Sequence, residues 1–417
     1  MAALRWLFAI QLLSMGAMEM SGPFWPLQLR ALGDAPGGLA VASAVAYAGP
    51  LVTAMLFTPV WGRIGDRVGH KPMLLRALLA LAATQLWLAF AGSATVVLAV
   101  RLLQGALAGF IAAAQAYGAG IVARAERGAL MARLQVATAL GSMLGPLAGG
   151  LAYSAFGFAA VNAIAAAICL ACAACAARVL PAERREGNLD GLSSRAASPA
   201  ASRASSGLAP QSVAVNNDAL GEAAGLRGVV AGLLAGIVLV QAGKMMPQGF
   251  FSLYAEQVLH AAPWLTGLCY GATAAGLCLF APFWAKQFRD KPRAWVLQRI
   301  EWICWACAGI VALQAIGRSI ALVLAVRLAW GIAMAALLPV FYGLLSQETC
   351  DAQQGRVLGA GNSAAKAGAL LGAAAGGLAM AWLPLEHIFW SVATLYMVAA
   401  LGMRVWRGQA AAQPISA

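Results

Sequence analysis

Glu19, Arg101, Lys244 and Arg327 each lie inside a long apolar run of the 417-residue chain. At the centre of a membrane helix such a group costs about 2.5–3.5 kcal/mol on insertion scales, so each one needs a partner or a task. At ~1.5 Å of rise per residue, Glu19 lies about 20 Å from the inner end of its run and Lys244 about 24 Å along its own. Arg101 and Arg327 enter from the other surface and lie roughly 10 Å below it. The four form one layer, with a single carboxylate among three cations. This makes Glu19 the candidate proton site: deprotonated it pairs with a cation, protonated it releases it, and proton binding is coupled to a choice of conformation. The alternative is a permanent ion pair of Glu19 with Arg101 or Lys244. A further carboxylate, Glu301, lies near the inner end of its run beside Arg299, where snorkelling would carry it to the interface.

Other polar residues extend the candidate site. Gln104, Gln115 and Tyr117 on one run, and Trp330 and Tyr342 on another, are expected either to line a polar and aromatic cavity or to pack. Asn362 stands one turn before Lys366, which either meets an anionic group of a substrate or is buried against helix carbonyls. Enzyme chemistry has little support. His70, His260 and His387 all fall at or near run ends, and there is no His/Asp/Glu cluster, metal spacing or nucleophile elbow. Cys169, Cys172 and Cys175 repeat every three residues in an Ala-rich stretch, and Cys304 and Cys307 sit in another; without neighbouring His or carboxylates they read as small buried residues. No metal and no cofactor is expected.

The elements that must position these residues are membrane helices. With 62% hydrophobic residues, 10% charged residues and a mean hydropathy of +0.77, an ordinary soluble domain is excluded. About 20 apolar residues span a ~30 Å hydrocarbon core. Runs over 6–29, 39–61, 73–92, 95–121, 129–154, 158–179, 228–253, 263–285, 295–316, 319–345, 357–382 and 386–406 meet that length, which predicts twelve helices. The opening MAALRWLFAIQLLSMGAMEM carries a single Arg and continues through Glu19 to Leu29, so it reads as the first span. Of 28 Lys and Arg, only Arg30 and Arg318 fall in loops assigned to the outside. Arg101, Lys244, Arg327 and Lys366 lie within spans, and the rest lie on the inner side. The net charge of +13 therefore reports orientation, both termini cytoplasmic, and not a nucleic-acid partner.

One connection is long. Residues 181–227 are rich in Pro, Ser, Ala and Arg and nearly free of aromatic or branched apolar residues, which predicts a disordered cytoplasmic linker. It separates a six-helix bundle over 1–180 from another over 228–417. The halves repeat: Ala99-Val100-Arg101-Leu102 recurs as Ala325-Val326-Arg327-Leu328, and Pro59-x-Trp61 as Pro282-x-Trp284. Gly128, Gly141, Gly145, Gly149 and Gly150 land on Gly355, Gly368, Gly372, Gly376 and Gly377 at an offset of 227. Two homologous halves imply a site at their interface near the midplane, open to each side in turn. Gly141-x-x-x-Gly145 and Gly368-x-x-x-Gly372 are expected to bring backbones close, either where the halves rock against each other or within one half.

Between the second and third runs, Gly62, Asp66, Arg67, Gly69, His70 and Lys71 resemble the G-x-x-x-D-R-x-G-R-[RK] signature of the major facilitator superfamily. Arg101 to Gly105 resembles the family's R-x-x-x-G motif. The stretch containing Gly141, Gly145, Pro146, Gly149 and Gly150 resembles its antiporter motif G-x-x-x-G-P-x-x-G-G. With Pro23-x-x-Pro26, the set is similar to the twelve-helix drug:proton antiporter group. In the second half Ala373 replaces Pro146, and the loop after the eighth run lacks the hinge glycines.

The resemblance implies an all-α membrane protein of two pseudo-symmetric six-helix bundles, the major facilitator fold, in a bacterial inner membrane. It implies export of a drug-like or siderophore-like molecule driven by the proton gradient, from a monomer whose partners are its substrate and membrane lipid. An importer or facilitator of the same fold is the nearest alternative. The resemblance also implies that Asp66 latches the halves on the cytoplasmic side, with Arg356 as a sensible partner. Three cations to one carboxylate favour an amphiphilic or partly anionic cargo.

Overall fold

The computed structural model describes residues 2–33, 38–123, 126–181, 217–347 and 351–412, with side-chain surroundings described except at 2, 217–227, 229, 351–356 and 408–412. In hydrocarbon every backbone polar group must be satisfied within its own segment, so the apolar runs become helices. In order these are α1 (Ala2–Met20), α2 (Trp25–Leu32), α3 (Gly38–Val68), α4 (His70–Ala89), α5 (Ala94–Ala106), α6 (Phe110–Ile121) and α7 (Arg127–Val179). The second half contributes α8 (Asn217–Met245), α9 (Phe251–Gln257), α10 (Pro263–Phe288), α11 (Arg293–Ile316), α12 (Ile320–Gln347), α13 (Asp351–Ala379) and α14 (Ile388–Ala412). No strand occurs among the described residues.

Twelve passes result. Nine spans among the described residues, with α5 and α6 together making one, are long and apolar enough to cross a membrane. One of them, α7, turns back on itself at Gly157, whose φ of 81° suits a residue without Cβ, and so makes two passes. The interrupted α1–α2 pair and the glycine-rich α13 complete the set. Residues 217–227, expected as linker, instead begin α8. Their Asp-Ala-Leu-Gly-Glu-Ala-Ala-Gly-Leu-Arg sequence is dominated by helix formers and runs into the apolar stretch without a stop signal. The rest of the expected linker beyond Pro181 lies outside the described residues.

Each half has its own core. One buried cluster runs from Leu233 to Met403, centred on Phe250, Phe251, Tyr254, Phe341 and Phe389. Another lies wholly within Leu7–Leu180 and includes Cys169 and Cys172, free thiols packed as small apolar groups. The duplication extends to single hydrogen bonds. The Trp61 indole donates to the Ala106 carbonyl at 2.7 Å, and Trp284 donates to that of Ile332 at 2.7 Å.

The glycine stripes pack inside the halves, not between them. A Cβ at Gly141, Gly145 or Gly149 would strike the carbonyl oxygens of Leu12, Gly16 or Met20 on α1. At Gly368, Gly372 or Gly376 it would strike those of Val238 or Ala242 on α8 or of Met246 just after it. The halves meet one residue further on. Gly150 lies against Pro263 and Trp264, Gly267 against the Pro146 carbonyl, and Gly377 against Ala44. A helix turns 100° per residue, so a single step carries a glycine from one neighbour to another.

These inter-half contacts gather at the end opposite the Gly62–Pro72 hinge. There Arg30 pairs with Glu256, and the Trp264 amide donates to Ser154 Oγ at 3.0 Å. Towards the hinge, residues 55–60 of α3 are exposed on every face of the helix. The halves therefore part at the hinge end and are closed at the other.

Candidate functional site

Both halves interrupt their first helix at the same place. After Met20 the chain takes a 3-10 turn at Gly22–Phe24, and after Met245 it takes one at Met246–Gly249. Pro23 and Pro247 lack the N–H that a continuing α-helix would use. Glu19 and Lys244 stand just before the two interruptions. Glu19 lies in electrostatic reach of Arg101 in its own half and of Lys244 in the other, but makes no direct ion pair with a described residue. The permanent ion pair weighed from the sequence is thus not formed in this state. Interrupted helices in corresponding positions of two repeats are where secondary transporters place their sites.

Arg101 is held by a local cause. Pro50 removes the N–H that would bond the Ala46 carbonyl within α3. Arg101 takes that orphaned acceptor, with Nε at 3.1 Å and Nη2 at 3.0 Å. Its Nη1 donates to Gln104, whose amide reaches Thr84 at 3.4 Å, and its guanidinium lies 4.9 Å from the Trp25 ring. Gln104 is therefore part of the Arg101 mount and not cavity lining; its i, i+3 spacing from Arg101 is the sequence signal for that contact.

Arg327 is 2% exposed, with its guanidinium 3.4 Å above the Phe251 ring and 5.1 Å from that of Tyr270. Trp330 is 2% exposed beside it in the second core, so it lines no open cavity in this state. Tyr117 is likewise a core residue, fully buried, with its hydroxyl donating to the Pro181 carbonyl at 2.9 Å. For both, the sequence leaves cavity lining and packing open, because aromatic residues on a membrane run look alike whether they face a cavity or a neighbour.

Tyr342, Asn362 and Lys366 do form an accessible polar patch. The Tyr342 hydroxyl donates to Asn362 Oδ1 at 2.9 Å, and Lys366 is exposed one turn on. Gln115 is half-buried on α6. Glu301 is 8% exposed and pairs with Arg407 at 3.0 Å, so its partner lies on α14 and it does not snorkel.

At the hinge, Gly69 has φ 105° and ends α3 by donating to the Gly65 carbonyl at 2.8 Å. Gly62, Asp66 and Arg67 are exposed, and Asp66 pairs with no described residue. The side chain of Arg356, the expected latch partner, lies outside the described residues. Asp66, His70, Trp61 and Arg76 line a cleft of about 210 Å³ on the first half. Arg76 stacks 3.7 Å over Trp61 and donates to the Leu107 and Ala108 carbonyls, where α5 and α6 separate.

The sequence reading missed Tyr47 and Tyr270. Tyr47 donates to the Gly22 carbonyl at 2.7 Å, and both tyrosines feel the charge of Glu19. The signal was present: the spacing of 223 that relates Pro59-x-Trp61 to Pro282-x-Trp284 also relates Tyr47 to Tyr270.

Comparison with known proteins gives the same picture. The chain is 34% identical over 158 residues to the staphyloferrin B transporter of Staphylococcus aureus, covering 38% of each protein. It is 34% identical over 146 residues to the PmrA multidrug efflux pump homologue of Lactococcus lactis, covering 35% of this chain and 36% of that one. The chain thus spans little more than a third of the length of these curated relatives. The MFS-type transporter YuxJ of Bacillus subtilis is 26% identical with 91% of each chain covered. The crystal structure of a D-xylose–proton symporter superposes over 96% of both chains with a TM-score of 0.67 at 16% identity, a likeness of fold. The Major Facilitator Superfamily model matches residues 7–317; with two repeated six-pass bundles and a charged pair at their interrupted helices, the chain belongs to the Major Facilitator Superfamily.

Proposed function

We propose that this transporter exports a small organic molecule in exchange for protons, by alternating access between the two halves. The observation that carries the reading is the placement of Glu19 and Lys244. They are opposite charges at matching helix interruptions, within electrostatic reach across the interface, with no direct ion pair between them. A carboxylate so placed gains or loses its attraction to the other half with one proton. The curated relatives, named for multidrug efflux and for staphyloferrin B transport, favour a drug-like or siderophore-like cargo and an outward direction.

On this reading the protein lies in a bacterial inner membrane with both termini in the cytoplasm, acts as a monomer, and needs no cofactor beyond the proton gradient. The opened hinge end faces the cytoplasm, and Asp66 closes a latch there in the opposite state. Import by the same fold is the second reading.

Inverted vesicles energised by a pH gradient and offered a panel of dyes, antibiotics and iron chelators test it. Uptake that collapses with an uncoupler is expected. Uptake unaffected by the uncoupler, or movement of cargo only in the opposite sense, overturns proton-driven export.

A further inference from the structure

The internal repeat makes each half a control for the other, and at one place the control fails. Arg101 and Arg327 occupy equivalent positions, each over the aromatic ring at the equivalent site, Trp25 and Phe251. Arg101 has two acceptors. The first, the Ala46 carbonyl, is free because Pro50 has no N–H; the second is Gln104. In the second half both are gone. Thr273 stands where Pro50 would be; it carries the missing N–H and also donates its hydroxyl to the Cys269 carbonyl, the counterpart of Ala46, at 3.2 Å. Trp330 stands where Gln104 would be, and an indole accepts nothing.

The result is a guanidinium 2% exposed whose Nε and Nη2 both lie buried without an acceptor. Tyr270 repeats the pattern. Tyr47 bonds the Gly22 carbonyl, whereas the Tyr270 hydroxyl, in a residue 7% exposed, is buried with no partner. The titratable groups within electrostatic reach of Arg327 are Tyr270, Cys269 and Tyr254, which are uncharged near neutral pH, and no carboxylate is among them. Burying an unpaired ion is among the most costly arrangements a protein can hold. Two edges of the same first-half mount are lost together, which is a specialised site rather than one drifted contact.

We propose that Arg327 and Tyr270 form a carboxylate subsite that takes a carboxylate group of the transported molecule. This rests on the transport reading above and narrows its cargo. Nε and Nη2 form the side-on fork of a guanidinium, whose parallel N–H pair matches the two oxygens of a carboxylate. The Phe251 ring stacks on the guanidinium, and Tyr270, whose ring lies 5.1 Å from it, carries an unpartnered hydroxyl as a further donor. Tyr270 also senses Glu19, which connects the subsite to the proton-site layer.

The test is binding to the purified full chain in nanodiscs without any gradient, so that its failure is distinct from failure of transport. The probes are benzoate and citrate, with benzamide and chloride as controls, read by calorimetry and by thermal stabilisation. Saturable binding of a carboxylate, absent for benzamide and chloride, is expected. Arg327→Lys, which keeps the charge and loses the fork, is expected to weaken it at least tenfold, and Tyr270→Phe several-fold.

Thr273→Pro, which repeats Pro50, removes both donors to the Cys269 carbonyl, the counterpart of the acceptor that fills the Arg101 fork, and is expected to weaken carboxylate binding at least tenfold in a protein that folds normally. Equal stabilisation by chloride would reassign the site to an inorganic anion and overturn the proposal. So would absence of carboxylate binding, or carboxylate binding that survives both Arg327→Lys and Thr273→Pro.

Discussion

Replacing Glu19 by Gln isolates the proposed proton step, because it fixes the protonated charge state while nearly preserving shape. The structure bounds the effect. Glu19 touches neither Arg101 nor Lys244 directly, yet feels both. At an effective dielectric of ~20, unit charges interact by about 4 kcal/mol at ~4 Å and less beyond, so that figure is a ceiling for each cation. Turning a two-state equilibrium from 1:99 to 99:1 requires about 5.5 kcal/mol. Two cations responding to one proton therefore supply energy on the scale that alternation needs, even after discounting for the half-buried position of the carboxylate.

The assay must separate coupling from carriage. In vesicles, Glu19→Gln is expected to lose at least ~100-fold in pH-driven accumulation, equivalent to about 2.7 kcal/mol. Exchange of labelled for unlabelled cargo without a gradient should stay within about three-fold, since it needs no net change in protonation. Full pH-driven accumulation by a folded Glu19→Gln protein would refute the reasoning. Loss of exchange and accumulation together would refute it equally, by making Glu19 part of the cargo site or the scaffold.

The closed end and the glycine contacts give further expectations. The Arg30–Glu256 pair joins the halves, but its side chains are 37% and 43% exposed. It is worth about 0.2–1 kcal/mol, so Glu256→Gln should raise the open-to-closed ratio of that end by roughly 1.4- to 5-fold. The labelling rate of a cysteine introduced at the buried Leu253 reports it, and an unchanged rate removes the pair as a gate. Gly149→Ala and Gly376→Ala force a Cβ onto the Met20 and Met246 carbonyls, and overpacking of this kind costs about 1–3 kcal/mol. A lower melting temperature is expected for both, whereas Gly402→Ala, with open space at its Cβ, should be neutral or better. Equal behaviour of all three would show that backbone contact is not what the glycines serve.

Much of this protein was legible without coordinates. Hydropathy sets twelve passes because a continuous apolar run of about 20 residues satisfies its own backbone in a bilayer as a helix. The repeat in Arg101/Arg327 and in the glycines fixes two equivalent halves, and the rarity of charge in apolar runs singles out Glu19, Arg101, Lys244 and Arg327. These are properties of composition and spacing along one dimension. What lies across helices was not legible. Whether Gly145 faces its own bundle or the other turns on one 100° step, which no spacing encodes when glycines occur at consecutive positions 149 and 150.

Gln104, Trp330 and Tyr117 looked like cavity residues because residue type alone cannot tell a partner from a cargo. Only the tertiary structure showed Gln104 accepting from Arg101 and the fork of Arg327 accepted by nothing. The sequence determines which charges must be buried and where the chain repeats itself. The fold decides which of those charges finds an acceptor, since that depends on a proline in α3 whose counterpart in α10 is a threonine, each two helices away from the arginine it governs.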